Sequence, residues 1–288
     1  MHESHFLITL ANWLVVVFVV SNMLALGMKL TIAEVRAPLR NVPLSLKALL
    51  ANFVLVPLVA YLLVWYFHLE HGYALGLILL ATAAGDPFVT KASQLAKGDP
   101  AHTVAFMVAL QVITVLYMPI VLPFLLPGVK VDALEIAKPL IILMLIPLAF
   151  GFFVKARFEK IARLLSGPLD IFSSVVIAIA LSMLMVLYFH QILATWGHRV
   201  ILTALILAWA GFAFGYLLGG PKQGNRPVLA LNTGIRGYSA ALVVGVRNFP
   251  SEGTLVIMIA TSLILCLVTM LPVSATILRR KAVAQAKT

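Results

Sequence analysis

The chain has few charged residues and only one cysteine. Of its 288 residues, 11% are charged, against about 25% in an average soluble domain. The single cysteine, Cys266, excludes an internal disulfide and a cysteine-based metal cluster. The sequence also lacks a glycine-rich nucleotide loop and a His/Glu pair on one helix face. We therefore expect no ATP-driven activity, no bound metal and no cofactor.

Apolar residues are abundant instead. They make up 62% of the chain, and the mean hydropathy is +1.07. Apolar stretches of about 20 residues are typical of transmembrane helices. We predict an all-α polytopic membrane protein with little chain left for a soluble domain. Proline and glycine positions divide it into nine spans: 6–30, 42–67, 73–97, 100–127, 134–155, 167–192, 199–219, 224–248 and 252–278.

The net charge of +11 indicates membrane orientation rather than a nucleic-acid partner. Most lysines and arginines fall in loops on one side of the predicted membrane. The other side has only Lys130, Lys138, Arg199 and Arg247. By the positive-inside rule, the N-terminus lies outside and the C-terminus lies in the cytoplasm. We expect an integral protein of a bacterial inner membrane or a plasma membrane, in contact with lipid.

Spans three and eight each contain a helix-breaking interruption. Residues 85–87, Gly-Asp-Pro, interrupt span three just before Lys91, and residues 232–237 interrupt span eight and include Arg236. These are the two basic residues placed in the middle of hydrophobic spans, where a charge normally faces a cavity and has a function. Interrupted helices in corresponding halves are typical of a transporter's binding site. We predict that the two interruptions cross and form the functional site.

The positions of the interruptions predict an inverted repeat. Each interrupted span is followed by a helix that begins at a proline, Pro100 or Pro250. Spans one to four then correspond to spans six to nine, and the odd offset of five gives the halves opposite orientations. The predicted units are a first repeat, a connector with span five, a second repeat and a cytoplasmic tail: 1–127, 128–160, 161–281 and 282–288.

Other polar residues surround the interruptions. Asp86 either caps the following half-helix or forms an ion pair with Lys91. Nearby hydroxyl groups either contact a substrate or hold helices together by hydrogen bonds. These candidates are Thr90, Ser93, Thr233, Tyr238 and Ser239. No pair of carboxylates lies within the spans for acid–base catalysis, so we do not expect an enzyme.

Three segments carry a resemblance to a known family: residues 24–28 in span one, 95–99 after the first interruption, and 232–242 in the second. In them the sequence resembles the bile acid:sodium symporter family, as a nine-helix member without the extra first helix of ten-helix bacterial members. The resemblance covers essentially the whole chain. It implies a panel domain, a core domain with two crossed discontinuous helices, and alternating access for an organic anion.

The chain departs from that family where its members bind sodium. The family's Ser-Asn pair, Glu and Gln fall on Val89 and Thr90, Asn232, and Arg236. A further Ser, Thr and Gln fall on Thr103, Met107 and Asn52. The acidic ligand is lost and cations lie beside both interruptions, where they would repel sodium. We therefore expect that this chain does not use sodium as the family does.

Three roles for Lys91 and Arg236 stay open. They replace the sodium ions as fixed charges that neutralise Asp86 and cap free carbonyls; they contact the anion directly, which suits a guanidinium; or the lysine carries protons. The expected function is secondary active or facilitative transport of a small organic anion, independent of sodium. A proton-coupled carrier of the same fold and a non-transporting membrane sensor or interaction protein are the alternatives.

Overall fold

The structure is a computed structural model that describes residues 2–37, 40–86, 88–89, 100–126, 132–187, 199–220 and 225–270, with 272 and 276. In this part of the chain every regular element is helical, as the sequence predicts. The α-helices are α1 (His2–Lys29), α2 (Ile32–Arg36), α3 (Val42–Leu50), α4 (Val56–Phe67), α5 (His71–Thr82), α6 (Pro100–Leu125), α7 (Ala133–Leu140), α8 (Ile146–Arg157), α9 (Glu159–Leu187), α10 (Val200–Leu218), α11 (Asn225–Gly234), α12 (Tyr238–Asn248) and α13 (Gly253–Leu265). π-Helical segments occupy Ala51–Leu55, Ile141–Leu145 and Cys266–Met270.

Within the described ranges, eight stretches are long and apolar enough to cross a membrane. They are Thr9–Lys29, Val42–Phe67, Thr103–Leu125, Ala133–Arg157, Glu159–Ala180, Val200–Leu218, Asn225–Asn248 and Gly253–Met270. They correspond to eight of the nine predicted spans. The first half of the remaining span, span three, is α5, and most of its second half lies outside the described residues. The nine-span count and the inverted repeat therefore stay predictions.

The helix of span six begins earlier than the sequence predicts. It begins at Glu159 rather than at 167, and Pro168 lies inside α9 instead of at its start. Glu159 pairs with Arg163 at 2.7 Å and with Lys155 at 3.6 Å. The Glu159–Arg163 pair, four residues apart within α9, stabilises the first turn of a helix segment whose hydropathy is typical of a polar loop.

Local sequence signals explain the reversal after α1. Thr31 caps α2, and the Glu34 carboxylate accepts a hydrogen bond from the Thr31 backbone N–H at 2.7 Å, which completes a capping box. That backbone hydrogen bond lowers the pKa of the exposed Glu34 carboxyl from its ordinary value. The chain then returns into α3, which is capped by the Asn41 side chain and has Pro43 in its first turn.

Helices α1, α8 and α9 pack together as a three-helix unit, which we call the panel. Lys29 at the end of α1 pairs with Asp170 of α9 at 2.6 Å. Gly27 of α1 and Gly151 of α8 face each other: an alanine Cβ at 27 would overlap the Leu148 carbonyl oxygen and lie 2.9 Å from the Gly151 Cα. Small residues allow this close approach of two helix backbones.

We expect Gly27→Ala to lower the free energy of unfolding by about 1–3 kcal/mol, because two backbones must move apart to admit the methyl group. Gly167→Ala in α9 is the matched control, since nothing lies within 4 Å of its added Cβ. There the helix-interior glycine is lost without a clash, so stability is unchanged or rises by up to about 1 kcal/mol. Thermal unfolding in detergent measures both variants. An equal loss in the two would contradict the close contact.

The remaining helices pack around the interruptions. Helix α10 lies against α11 and α13, and α5 lies against α13, α4 and α6. The two halves of span eight have different neighbours: α11 packs on α10, α6 and α3, whereas α12 packs on α13, α7, α5 and the panel helix α1. We call the helices outside the panel, with the exception of α7, the core. The panel therefore contacts the interrupted span through α12.

Candidate functional site at two interrupted helices

The two interruptions lie directly against each other. The backbone N–H of Gly237, between α11 and α12, donates to the Ala83 carbonyl oxygen after α5 at 3.1 Å. Ala84 is held from a third helix, because the Thr114 hydroxyl accepts from its N–H at 2.9 Å and donates to its carbonyl at 3.0 Å. Non-helical backbone inside a membrane needs such partners, since no water or helix bond satisfies it.

Gly85 makes the first interruption possible. Its φ is +79°, a conformation that favours glycine, and a Cβ there would lie 2.5 Å from the Met107 carbonyl oxygen of α6. Any other residue at this position would be strained and would also clash. The turn after α5 therefore depends on both the conformational freedom and the small size of this glycine.

Arg236 lies at the centre of the site and is only 2% exposed. Its Nε donates to the Leu80 carbonyl at 3.2 Å, and Nη2 donates to the carbonyls of Ala81 at 2.7 Å and Asn52 at 3.3 Å. Its Nη1 donates to the Asn52 side-chain oxygen at 2.8 Å and to the Thr233 carbonyl at 3.1 Å. A guanidinium has five N–H donors. Each of the five has an oxygen acceptor here.

Four of the five acceptors are backbone oxygens at helix ends and at a helix distortion. The carbonyls of Leu80 and Ala81 lie in the last turn of α5, and that of Thr233 lies in the last turn of α11, where carbonyls lose their regular helical partners. The Leu80 carbonyl also accepts from the Ala83 N–H at 3.3 Å. The partial negative charge of helix C-termini favours a cation. Arg236 thus caps both first halves of the interrupted spans.

Pro57 accounts for the oxygens offered by the second span. A proline has no N–H to donate to the carbonyl four residues earlier, here that of Phe53, and the preceding segment Ala51–Leu55 is π-helical. The Tyr117 hydroxyl donates to the Phe53 carbonyl instead, at 2.5 Å. The neighbouring Asn52 carbonyl accepts from Arg236. The distortion therefore turns two backbone oxygens toward side chains of other helices.

Asp86 has the complementary arrangement at the other end of the site. It is 1% exposed, and its carboxylate accepts a hydrogen bond from the Phe88 N–H at 3.0 Å. The backbone N–H groups of Tyr238 and Ser239 also stabilise its charge. Those last two residues form the first turn of α12, whose N-terminus attracts negative charge. No ion pair joins Asp86 to Arg236, although both are described. Each interruption instead contributes a charged side chain that lies at a half-helix end of the other span.

The predicted polar residues divide into groups around these two charges. Asn52 also donates to the Thr233 hydroxyl at 3.0 Å, so both belong to the Arg236 network. The Asn232 amide donates to the Val228 carbonyl at 2.9 Å and approaches that of Thr103 at 3.5 Å. Its side-chain oxygen is fully buried and has no hydrogen-bond partner within the described ranges.

Tyr238 and Ser239 have separate environments. The Tyr238 hydroxyl donates to the Ser262 carbonyl of α13 at 3.2 Å, which fits a packing role better than contact with a ligand. The Ser239 hydroxyl is buried and without a partner among the residues the structure describes. Lys91, Thr90 and Ser93 lie outside the described residues.

Sequence reasoning missed three polar residues of α6 and their connection to the site. Thr114 satisfies the backbone after α5, Tyr117 satisfies the π-helical segment, and Gln111 adjoins Gly85 with both amide atoms buried and unpaired in the described structure. A sequence signal existed, since these are isolated polar residues in an apolar span. Hydropathy alone does not show that they face the interruptions.

Comparison with known proteins identifies the family of the chain. The model of the Sodium Bile acid symporter family matches residues 16–204, more than half of the chain. The chain belongs to the sodium bile acid symporter family. This is a family of membrane transporters and not of enzymes, and the chain is an integral membrane protein.

The curated relatives have low sequence identity to the chain but align with most of its length. The chain is 27% identical over 261 residues to the probable sodium/metabolite cotransporter BASS1 of Arabidopsis thaliana, covering 89% of this chain and 64% of that protein. It is 26% identical over 196 residues to BASS3 of the same plant, covering 67% and 45%. It is 24% identical over 241 residues to the hepatic sodium/bile acid cotransporter of Rattus norvegicus, covering 80% and 66%. The chain spans less than two thirds of the length of each of these relatives.

Proposed function

We propose that this family member moves a small organic anion across a membrane by alternating access, without sodium. The observation that carries the proposal is the complete engagement of the Arg236 guanidinium with oxygens at the interruptions. Carbonyl and amide oxygens of this kind also coordinate hard cations in proteins. Here a covalently attached cation holds them, so no free ion is needed to join the two spans.

The same engagement favours charge replacement over direct contact between Arg236 and a substrate. Every N–H of its guanidinium already has an acceptor, so an incoming carboxylate would have to displace protein oxygens. Lys91 is the second charge in the proposal. The buried, unpartnered side-chain oxygen of Asn232 is an acceptor that a cationic donor could satisfy. Substrate contact and proton carriage remain roles for Lys91.

The charges within the spans support an anionic substrate. Asp86 and Arg236 each interact with helix ends of opposite sign. This leaves Lys91, five residues after Asp86 in the sequence, as the unbalanced charge of the predicted spans. Net positive charge at bilayer depth is favourable only if an anion arrives to balance it. We propose that the anion binds beside the interruptions, between the panel and the core.

The packing supports a movement of the panel against the core. The panel touches the interrupted span through α12, whereas α11 packs within the core. A rocking motion would separate α1 from α12 on one side of the membrane and keep the Arg236 network intact. Alternating access commonly proceeds by such rigid-body movement around a fixed site.

Uptake into liposomes tests the proposed function. Carboxylates and sulfonates that raise the apparent Tm of the purified protein are selected first, because ligand binding stabilises the native state. Uptake of the selected labelled anion is then measured with sodium or choline as the external cation, at equal and unequal pH. We expect equal rates in sodium and choline. A rate that follows the pH gradient identifies the proton-coupled form, and absence of both stabilisation and uptake would support a non-transporting sensor.

A further inference from the structure

A pocket that includes a cationic side chain lies away from the interruptions, between the panel and the core. It has a volume of about 190 Å³ and is lined by Thr9, Asn12, Trp13 and Val16 of α1 and by Val246 and Arg247 of α12. Arg247 is in the last turn of the same half-helix whose first turn receives Asp86. At 1.5 Å per residue, the pocket lies about 14 Å from the interruptions along α12.

Arg247 contacts an aromatic ring of the panel. Its Cζ lies 5.6 Å from the centre of the Trp13 ring, in a cation–π contact that joins α12 to α1. A guanidinium has five N–H donors, and a contact with a ring face uses none of them as a conventional hydrogen bond. The structure gives this guanidinium no hydrogen-bond acceptor within the described residues. Arg236, by contrast, uses all five of its donors.

The lining matches one chemical class of ligand. The guanidinium edge offers paired donors for a carboxylate, and the Asn12 side chain lies in the same lining and can donate a further hydrogen bond. Val16, Val246 and the Trp13 ring supply apolar walls, and the described residues that line the pocket include no acidic one. By the predicted orientation this is the outer side, where basic residues are sparse. Arg247 would therefore provide a localised attraction for anions there.

We propose that this pocket captures a small carboxylate with an apolar body before it reaches the interruptions. Binding to the pocket follows from the residues named here; its place on the transport route rests on the proposed function. Because Trp13 and Arg247 belong to units that must separate, capture at their contact also brings the anion to the opening between panel and core. Opening the outer side would break the stacking and expose the guanidinium further.

Trp13 fluorescence tests binding without requiring transport. Trp65→Phe, Trp196→Phe and Trp209→Phe isolate the Trp13 emission, which is followed during titration with benzoate and with uncharged benzamide. We expect a saturable change with benzoate and none with benzamide. If the triple variant has a lowered apparent Tm, the same signal is obtained as the difference between the natural chain and Trp13→Phe.

Arg247→Gln should weaken benzoate binding by about tenfold or more, because charge-assisted paired hydrogen bonds are lost. Arg199→Gln is the matched control: Arg199 is also exposed and stacks on an aromatic ring, that of Phe67 at 5.9 Å, but lies outside this pocket. It should leave the benzoate affinity unchanged. Equal responses of the two variants, or equal responses to benzoate and benzamide, would overturn the proposal.

Liposome uptake then separates this inference from the proposed function. Arg247→Gln should raise the apparent KM for the transported anion while the maximal rate is retained, since the site at the interruptions is untouched. An unchanged KM would remove the pocket from the transport route. If the protein binds benzoate saturably but transports no anion, the carboxylate pocket is supported and the transport proposal is refuted.

Discussion

Arg236→Gln is expected to abolish transport and to lower the free energy of unfolding by about 3–5 kcal/mol. The change removes the donors of five buried hydrogen bonds and leaves free carbonyls at the ends of α5 and α11 without a cation. Glutamine has only two donors on a shorter side chain, so most of these oxygens stay unsatisfied. Apparent Tm and liposome uptake measure the two losses.

Arg226→Gln is the control for that experiment. Arg226 is in the same half-helix, α11, but within the described part of the chain it makes one hydrogen bond, to the Gly220 carbonyl at 2.6 Å, and it is only partly buried. It also stacks over Tyr216 at 5.5 Å. We expect nearly normal uptake and a much smaller fall in apparent Tm. Similar losses of uptake and of apparent Tm in the two variants would show that the five hydrogen bonds of Arg236 contribute no more than the one of Arg226.

The second large effect is a gain of sodium dependence. The double substitution Asn232→Glu and Arg236→Gln supplies the side chains that the family resemblance assigns to these positions. It removes the guanidinium and places a carboxylate near Thr103. The free carbonyl oxygens and the new carboxylate can then act together as ligands for a sodium ion. We expect the Tm of this variant to rise with sodium concentration, whereas that of the natural chain does not.

A size-matched variant isolates the role of the new charge. Asn232→Gln with Arg236→Gln adds the same methylene at position 232, and so the same crowding, but no carboxylate. It should be destabilised whether or not sodium is present. If sodium raises the Tm of both double variants equally, the acid is not the missing ligand and the interpretation of these positions is wrong.

Much of the site could be predicted from the sequence because its charged and helix-breaking residues interrupt long apolar spans. Arg236 interrupts an apolar span beside glycines, and Gly85-Asp86 interrupts another, so their proximity could be predicted from the need to satisfy free backbone. The groups that each charge contacts could not be predicted in this way. Whether Arg236 faces Asp86 or the carbonyls of α5 depends on the π-helical segment before Pro57, and hydropathy carries no information on helical register.

The helix boundaries are a second feature that hydropathy alone does not predict. Gly167-Pro168 has the composition of a helix start, yet it lies inside α9, whose first turn contains the Glu159–Arg163 pair. The contributions of Thr114, Tyr117 and Gln111 were equally hidden. Each is an ordinary polar residue in sequence, and only the packing of α6 against the interruptions gives it a partner or leaves it unpaired.

Equilibrium binding of radioactive sodium to the purified protein tests the central claim most directly. If the Arg236 guanidinium holds the oxygens that would otherwise coordinate an ion, the natural chain shows no saturable sodium binding, and the Asn232→Glu, Arg236→Gln variant shows it. Saturable binding to the natural chain that survives with Arg236 in place would contradict the account.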